Sequence, residues 1–197
     1  MAEWFLSVKD GLLEWLLEVK DKAVAAFITD DRWKLYLDGY GVTLRVAFFA
    51  AIIGILIGTL VALMKLSRKR NGKKTFFARI ADLYVDIIRG TPSVLQLLIM
   101  WFVIMATCKN GILVASLSFG INSGAYVAEI IRAGILAVDK GQMEAGRALG
   151  LTNAQTMIYI IIPQAIKNVL PPLGNEFIVL LKETAIVGYV SLSDLTR

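Results

Sequence analysis

The feature that most constrains the fold is an uncharged apolar run of 19 residues, Val46 to Met64. At 1.5 Å per residue, a helix of this length covers about 28 Å, which is close to the hydrocarbon thickness of a bilayer. Ala50, Gly54 and Gly58 recur every four residues within it, and such a stripe of small residues lets a second helix approach closely. The run therefore predicts a transmembrane helix that packs against a neighbouring helix.

The composition agrees with a membrane protein and leaves little room for metal or redox chemistry. Hydrophobic residues make up 57% of the 197 residues, against roughly 45–50% apolar residues in soluble domains, and the mean hydropathy is +0.66. The chain has no histidine, and Cys108 is its one cysteine. This excludes an intrachain disulfide and a Cys/His metal cluster, so we expect neither a metal site nor a cofactor.

The positive charge follows the apolar run directly and indicates how the chain is oriented. No acidic residue interrupts the basic cluster, which consists of Lys65, Arg68, Lys69, Arg70, Lys73, Lys74 and Arg79. A cluster this close to a membrane span marks the cytoplasmic side, so the amino terminus is expected outside. Because this bias already explains the net charge of +5, we expect no nucleic-acid partner, and anionic lipid headgroups are the predicted partner of the cluster.

Residues 1–38 form a separate segment, predicted to be an amphipathic extracytoplasmic helix. Its apolar residues recur at helical spacing: Trp4, Phe5, Val8, Leu12, Trp15, Leu16 and Val19. Two placements remain open, at the membrane surface or against the outer face of the same protein. A cleaved signal peptide is not expected, because a basic start is absent and acidic residues interrupt the apolar core.

The next part of the chain is predicted to lie along the inner face and then to cross outward. Residues 76–88 mix apolar and charged positions, and Gly90 and Pro92 redirect the chain after them. The following uncharged stretch, residues 93–108, is short for a span. We therefore expect its helix to include part of the preceding turn, with Arg89 at the membrane interface.

A tight turn around Asn110 then leads into an inward crossing, residues 112–128. This segment contains the spacing Gly120-x-x-x-Gly124, which favours close helix packing. Counting crossings from the basic cluster places residues 129–153 at the cytoplasmic side.

The last part of the chain, from Ala154, is predicted to begin a further crossing in which Pro163, Pro171 and Pro172 interrupt helical hydrogen bonding. Ionisable residues at this depth favour the bundle interior or a partner. We expect Lys182 to pair with a carboxylate, and a direct role for these charges in substrate binding is the second interpretation.

Between two apolar regions lies a short polar helix pattern. Residues 144–149 favour a helix, and Gly150 can end it in a left-handed conformation with Leu151 packed over that end. Thr152 and Gln155 then have the spacing of a capping box. Because the helix has several small residues, another protein could approach its backbone closely. Replacing Gly146 by alanine should have a mild effect, because alanine favours a helix. A plain surface helix joining two spans is the alternative.

These segments carry a resemblance to a known family. Glu144-Ala145-Gly146, with Gly150 and the later Ile162-Pro163, resembles the EAA loop by which permease subunits of ABC importers engage their ATPases. The resemblance extends through Arg89-Gly90-Thr91-Pro92, Gly124 to Ile135, Leu170 to Glu176 and Leu181 to Thr184. Together they resemble the polar amino-acid permeases over about Gly39 to Arg197.

The resemblance implies an all-α integral membrane protein, a polytopic helical bundle of the type I ABC importer permease kind. Residues 39–197 would form the transmembrane domain, with a cytoplasmic coupling loop at about 139–153. Family members continue into one more spanning helix, so we expect the bundle to lack its final span. The protein would be a multi-pass protein of the cell (plasma or inner) membrane.

The implied function is import of polar amino acids by alternating access. The implied partners are two ABC ATPase subunits, a second permease subunit that is identical or related, an extracytoplasmic amino-acid-binding protein and the amino-acid substrate. The chain should not be an enzyme, because Gly72-Lys73-Lys74 lacks the other residues of a phosphate-binding loop. Competing interpretations are a secondary transporter or channel subunit and a non-transporting scaffold.

The resemblance also implies two sets of site residues. The residues expected to couple to the ATPase are Glu144, Ala145, Gly146, Gly150 and Leu151. The polar residues expected to line a substrate path are Asn122, Tyr126, Asn175 and Glu176.

Overall fold

The structure is a computed structural model that describes residues 2–28, 31–67 and 73–190. Three residues of the predicted basic cluster, Arg68, Lys69 and Arg70, lie outside these ranges. The helices are α1 (Ala2–Phe27), α2 (Trp33–Leu66), α3 (Phe76–Gly90), α4 (Ser93–Ile99), α5 (Gly111–Leu136), α6 (Lys140–Ala148), α7 (Asn153–Thr156) and α8 (Ile162–Glu183). One π-helical turn, Met100–Ile104, extends α4, a second, Met157–Ile161, joins α7 to α8, and a 3-10 helix, Thr184–Val190, follows α8.

The most extensive helix pair is α2 with α5, and small residues on both helices make their close approach possible. A Cβ atom added at Gly58 would lie 2.6 Å from the Cβ of Val127, and one at Gly120 would lie 2.6 Å from Cγ2 of Ile53. On α5, Gly124 similarly faces Ile57. The prediction that the small-residue stripe of α2 packs against another helix is thus confirmed, and its partner is the Gly120–Gly124 face of α5.

Two helices of the described residues, α2 and α5, are long and apolar enough to cross a membrane. A third crossing results if α3 and the extended α4 count as one span, although they meet at an angle of 103°. α8 lies in the region predicted to form a further crossing, but it is not apolar enough to be counted with these helices. The reason is that polar and charged residues occur among its apolar ones.

The bend between α3 and α4 corrects one prediction from the sequence. The helix of residues 93–108 was expected to include part of the preceding turn, but α3 continues to Gly90, a new helix begins at Ser93, and helical structure ends at Ile104. Pro92 stands immediately before α4, where its missing N–H donor does not interrupt the helix.

One side chain, Gln96, holds this bend together. Its Nε2 donates to the carbonyl oxygens of Ile88 (2.8 Å) and Thr91 (3.1 Å) and to Oγ1 of Thr91 (2.7 Å). Its Oε1 accepts a hydrogen bond from Nδ2 of Asn122 at 3.0 Å. Because Asn122 lies in the middle of α5, the bend is level with the middle of that helix. The expectation that Arg89 lies at the membrane interface stays a prediction.

A second polar contact joins α2, α3 and α5 through Lys65, near the end of α2, whose side chain is mostly shielded from solvent. Nζ of Lys65 lies 3.2 Å from Oδ1 of Asp82 and also donates a hydrogen bond to Glu129, and the lysine side chain is only 9% exposed. Arg132 lies 3.9 Å from Glu129 on the next turn of α5. This part of the predicted basic cluster is thus paired with carboxylates of the same chain.

The prolines of α8 also correct a prediction. Pro171 and Pro172 lie inside a continuous helix, and Pro163 lies at its first turn, where a missing donor is tolerated. Helical structure therefore continues across the expected interruptions.

The segment 1–38 begins with the predicted helix, α1. Leu12, Trp15, Leu16 and Val19 are exposed, while the side chains of Trp4, Phe5 and Val8 lie outside the described residues. Both placements of this helix therefore stay predictions.

Candidate coupling helix and substrate cavity

The short helix α6 has well-defined ends. The side chain of Asp139 caps its amino end. At the carboxyl end, Leu151 N donates to Gly146 O at 3.1 Å and Gly150 N donates to Arg147 O at 3.0 Å. These two bonds form a Schellman motif, and φ of Gly150 is +86°, a conformation that favours glycine. The predicted left-handed helix end at Gly150 is thus confirmed.

The next helix begins at once, with the predicted capping box. Gln155 N donates to Oγ1 of Thr152 at 3.2 Å, and Thr152 N donates to Oε1 of Gln155 at 2.9 Å. The Arg147 side chain donates to Leu151 O at 2.7 Å across the turn. We call residues 139–156 the docking unit, because these bonds make α6, the turn and α7 one compact piece.

Gly146 is the buried residue of α6, and its neighbour corrects another prediction. A Cβ atom at this position would lie 2.5 Å from Cγ2 and 2.8 Å from Oγ1 of Thr156. Thr156 is fully buried and donates to Thr152 O at 3.0 Å. The small size of Gly146 therefore serves packing within the docking unit, rather than leaving room for another protein.

The outward face of α6 carries the remaining candidates. Glu144, Ala145 and Gly150 are exposed and Leu151 is half-buried. Leu149 is 81% exposed, a large apolar side chain that the sequence analysis did not single out. On the opposite side of α6, Met143 packs against a hydrophobic cluster beneath it, formed by Val138, Ile161 and Ala165.

A cavity of about 470 Å³ lies between α2, α5 and α8, within the usual size range of small-molecule sites. Its polar side chains are Ser123 and Glu176, and Oγ of Ser123 donates to Oε1 of Glu176 at 2.7 Å. The rest of the lining is apolar apart from backbone: Phe48, Ala51, Ile52, Ile55, Val127, Leu170, Leu173, Gly174, Phe177 and Leu180.

The four predicted path residues occupy different surroundings. Glu176 lines the cavity, whereas Asn122 is buried and bonded to Gln96 at the α3–α4 bend. Tyr126 is 36% exposed and its ring lies under the guanidinium of Arg89, at 5.0 Å. Asn175 is exposed beside the cavity-lining segment of α8. Ser123, which donates a hydrogen bond to Glu176 of α8, lies one turn of α5 before Tyr126.

The expected partner of Lys182 is not found within the described ranges. Lys182 is exposed and has no carboxylate of residues 2–28, 31–67 or 73–190 within 4 Å. Glu176 is instead hydrogen-bonded to Ser123, a residue that sequence reasoning missed because serine is common on packed helix faces.

The chain is similar to known membrane transport proteins. Residues 54–197 match the family described as binding-protein-dependent transport system inner membrane component. The arginine transport system permease protein of Bacillus subtilis is 43% identical over 164 residues, covering 82% of this chain and 73% of that protein. A putative glutamine transport system permease protein of Rickettsia bellii shows the same identity and coverage. The L-cystine transport system permease protein of Bacillus subtilis is 35% identical over 84% of this chain and 69% of that protein.

Two solved structures are similar as well. A crystal structure of an amino acid ABC transporter with histidines contains a chain that is 49% identical, with a TM-score of 0.75, over 83% of this chain and 75% of that one. The inward-facing MetNI methionine ABC transporter has a TM-score of 0.73 at 21% identity, over 86% of this chain and 80% of that one. The second likeness concerns the fold alone.

Proposed function

Because this chain belongs to the family of inner-membrane components of binding-protein-dependent transport systems, we propose that it imports polar amino acids as the permease subunit of an ABC importer. Relatives named for arginine and for glutamine transport make these two amino acids the first substrates to test. The docking unit is the single observation that most supports this function, because it joins an exposed polar helix firmly to the helix that lines the cavity.

The outward face of α6 would be the ATPase contact. Leu149 is a large exposed apolar side chain, and its burial against an ATPase would be favourable. Glu144 supplies a charge on the same helix. Gly150 and Leu151 would act on this contact indirectly, by fixing the end of α6. Two ATPase subunits would bind two such faces, one on each permease subunit.

Movement of the ATPase pair would reach the cavity through packed helices. The docking unit contacts α8 through the cluster under Met143, and Gln142 lies within hydrogen-bonding distance of Gln164, on α8, at 3.4 Å. α8 carries Glu176 into the cavity. Rigid-body rotation of this assembly would switch access to the substrate path from the outside, where a binding protein delivers the amino acid, to the cytoplasm.

A reconstitution experiment tests the function. The permease, its ATPase and its binding protein are placed in liposomes, and uptake of L-arginine and L-glutamine is measured with and without ATP. We expect uptake only with ATP, and uptake driven by an ion gradient alone would instead identify a secondary transporter.

Variants of the outward face test the ATPase contact. Leu149→Ala and Glu144→Lys should release the ATPase during purification and lower uptake at least tenfold, with normal amounts of permease in the membrane. Leu136→Ala is the matched control. Leu136 is likewise an exposed leucine, with 60% of its surface accessible, but it lies at the end of α5 and not on α6. Retention of ATPase by both α6 variants would exclude this face as the contact.

The orientation of the chain is part of the proposal. In a Cys108-free background, a cysteine at position 110 should react with a membrane-impermeant reagent on intact cells. Cysteines at positions 73 and 144 should react only after permeabilisation. Labelling of position 73 on intact cells would reverse the topology and place the docking unit on the wrong side for an ATPase.

A further inference from the structure

The amino-terminal helix α1 has a surface that no other described helix covers. Every side chain described between residues 9 and 28 is exposed, including Leu12 (59%) and Trp15 (58%). Within residues 2–28, 31–67 and 73–190, none of the helix pairs with more than marginal contact includes α1. The match to the transport family begins at residue 54, so α1 precedes the part of the chain that this family describes.

The exposed side chains of α1 are arranged by type around the helix. At about 100° per residue, four large apolar side chains lie within about 100° of the circumference. We call them the apolar stripe: Leu12, Trp15, Leu16 and Val19. Three acidic side chains lie within about 60° on the far side of the helix, and they are Glu14, Glu18 and Asp21. α1 thus has an apolar face and an acidic face.

Lysines lie at both boundaries between these two faces. Lys22 lies about 70° from the middle of the apolar stripe in one direction, and Lys9 and Lys20 lie about 70–90° from it in the other. Lys22 is also paired with Glu18 at 2.7 Å. Further exposed apolar side chains follow beyond Lys20: Leu13, Leu17 and Val24. Apolar side chains therefore extend over about 200° of the circumference.

A phospholipid surface matches this distribution better than a partner helix does. In a helix that lies in the membrane plane, the apolar side chains enter the acyl-chain boundary and the polar face remains in water. Lysines at the boundary can extend to the phosphate groups. A partner helix would cover only a narrow stripe. The alternating three- and four-residue spacing that begins at Phe5 also ends at Lys22, after about two heptads, whereas a coiled coil needs about three or four.

α1 is long enough to cross a bilayer, but its charges make this placement unfavourable. It has 26 residues, of which five are acidic and three are basic. An ionisable residue in the acyl-chain region is costly, and α1 is not among the described helices that are apolar enough to span. A wide apolar face on a helix that cannot span indicates a position in the membrane plane.

The position of α2 brings α1 to the membrane surface. α2 has 34 residues and is about 51 Å long, slightly more than the roughly 40–45 Å of a bilayer with its headgroups. Trp33, Tyr36 and Tyr40 lie on one face at its start and are 41–48% exposed. Such aromatic residues are enriched at membrane–water interfaces. α1 ends at Phe27, a few residues before α2 begins, so its carboxyl end lies near the same interface.

A break in the helical backbone separates α1 from α2. Asp31 has a φ of +56°, a left-handed conformation that does not continue a right-handed helix. Its carboxylate accepts a hydrogen bond from Nζ of Lys34 at 2.6 Å. α1 can therefore extend along the surface while α2 crosses the bilayer.

We propose that α1 lies in the plane of the membrane, with its apolar stripe at the acyl-chain boundary, its boundary lysines at phospholipid phosphate groups and its acidic face in water. With the proposed orientation of the chain, this surface is the outer one. The excess of acidic residues in α1 gives no net attraction to anionic lipids, so phosphatidylcholine should hold it as well as phosphatidylglycerol does. The inference rests on the membrane location of the family and holds whichever substrate is transported.

Spin labels on the full chain in phosphatidylcholine nanodiscs measure the depth of α1. In a Cys108→Ser background, single labelled cysteines replace Leu12 or Leu16 of the apolar stripe, or Glu14 or Glu18 of the acidic face. Oxygen is concentrated in acyl chains and a nickel chelate in water, so their effects on spin relaxation give the depth of each label. Labels at positions 12 and 16 should lie about 5–10 Å into the headgroup and acyl-chain boundary, and labels at positions 14 and 18 should be in water.

Two reference positions calibrate these labels. A label at Leu56 of α2, which is 67% exposed within the uncharged run, should report lipid, and one at the exposed Lys140 of α6 should report water. Labels at positions 12 and 16 that behave like the one at position 140 would overturn the proposal. Shielding of these labels from both reagents would overturn it as well, because α1 would then be packed on protein. Dipolar broadening would identify that protein as a second copy of the chain.

Variants separate apolar insertion from attraction by charge. Leu12→Glu combined with Leu16→Glu should bring a label at position 19 into water, whereas Glu14→Gln combined with Glu18→Gln, the matched control, should leave its depth unchanged. An equal mixture of phosphatidylcholine and phosphatidylglycerol should also leave it unchanged, as should about 1 M salt, where charge interactions are screened beyond about 3 Å. A depth that survives the two glutamate substitutions, or that requires phosphatidylglycerol or low salt, would contradict the proposal.

Discussion

Replacing Gly146 by alanine should weaken the docking unit, although alanine is the better helix former. The added methyl carbon would lie 2.5 Å from Cγ2 and 2.8 Å from Oγ1 of Thr156, whereas carbon atoms in contact prefer about 3.5–4.0 Å. Thr156 is buried and anchored to Thr152 O, so α6 and α7 would have to separate by about 1 Å.

Two opposing contributions determine how much Gly146→Ala changes the stability of the docking unit. Alanine in place of glycine favours a helix by about 1 kcal/mol, and forcing an extra methyl group into a packed site costs about 1–3 kcal/mol. The net loss should be about 1 kcal/mol, or roughly a fivefold rise in local opening. The sequence-based expectation that Gly146→Ala is mild included the helix preference of alanine but not the contact with Thr156.

Amide hydrogen exchange of residues 140–156 in nanodiscs measures this opening directly. Thr156→Ser removes Cγ2 and keeps the hydroxyl group, so the Gly146→Ala, Thr156→Ser double variant should exchange more slowly than Gly146→Ala alone. The coupling between the two changes should be about 1 kcal/mol. If Gly146→Ala exchanges no faster than wild type, or if Thr156→Ser gives no compensation, the packing argument is wrong.

Three further predictions concern the framework around the sites. Lys65→Met should leave Glu129 without its lysine partner and lower the free energy of unfolding of the detergent-solubilised protein by about 1–3 kcal/mol. Lys65→Arg should recover part of this loss. Gln96→Leu should leave the side-chain amide of Asn122 on α5 without its partner. The α3–α4 bend should then be more sensitive to protease. Gly58→Ala should reduce the yield of folded protein, because its methyl group would overlap Val127, and Val127→Ala should restore the yield.

Glycines with open surroundings provide the control for the last change. A Cβ atom at Gly41 or Gly174 would have nothing within 4 Å, so alanine at either position should be tolerated. Equal yields of Gly58→Ala and Gly41→Ala would contradict the close packing of α2 and α5. Unchanged stability of Lys65→Met, or an unaltered protease pattern in Gln96→Leu, would likewise show that the contact in question is dispensable.

Local structure could be predicted from the sequence wherever it depends on residues close together in the chain. The length of the apolar run in α2, the capping box at Thr152 and the left-handed helix end at Gly150 each follow from a few neighbouring side chains. The spacing of small residues likewise indicated that α2 and α5 each pack closely against another helix, although it did not identify the partner. Family resemblance then added the prediction that α6 couples to an ATPase, which periodicity alone could not distinguish from a plain surface helix.

Partners that are distant in the chain could not be predicted in the same way. The sequence does not distinguish a buried glycine such as Gly146 from an exposed small residue. Only the fold shows that Thr156 packs against Gly146. Asn122 could have faced a path or a helix, and it faces Gln96. Pro171 and Pro172 were expected to interrupt α8, because local sequence does not show how surrounding helices support the remaining backbone bonds.

The packing of α2 on α5 limits which movements the protein can make. Each helix supplies hollows and projections: Gly58 on α2 receives Val127, while Gly120 and Gly124 on α5 receive Ile53 and Ile57. Side chains interlocked in both directions prevent one helix from sliding along the other, because a shift of even one residue would press a branched side chain against backbone. The pair should therefore move as a single rigid body. If the chain works with an ATPase as proposed, the distance between spin labels on the two helices should stay constant while ATP is hydrolysed. In the proposed importer, changes in access would then come from motion of this pair relative to α8, to the α3–α4 bend, or to a second subunit.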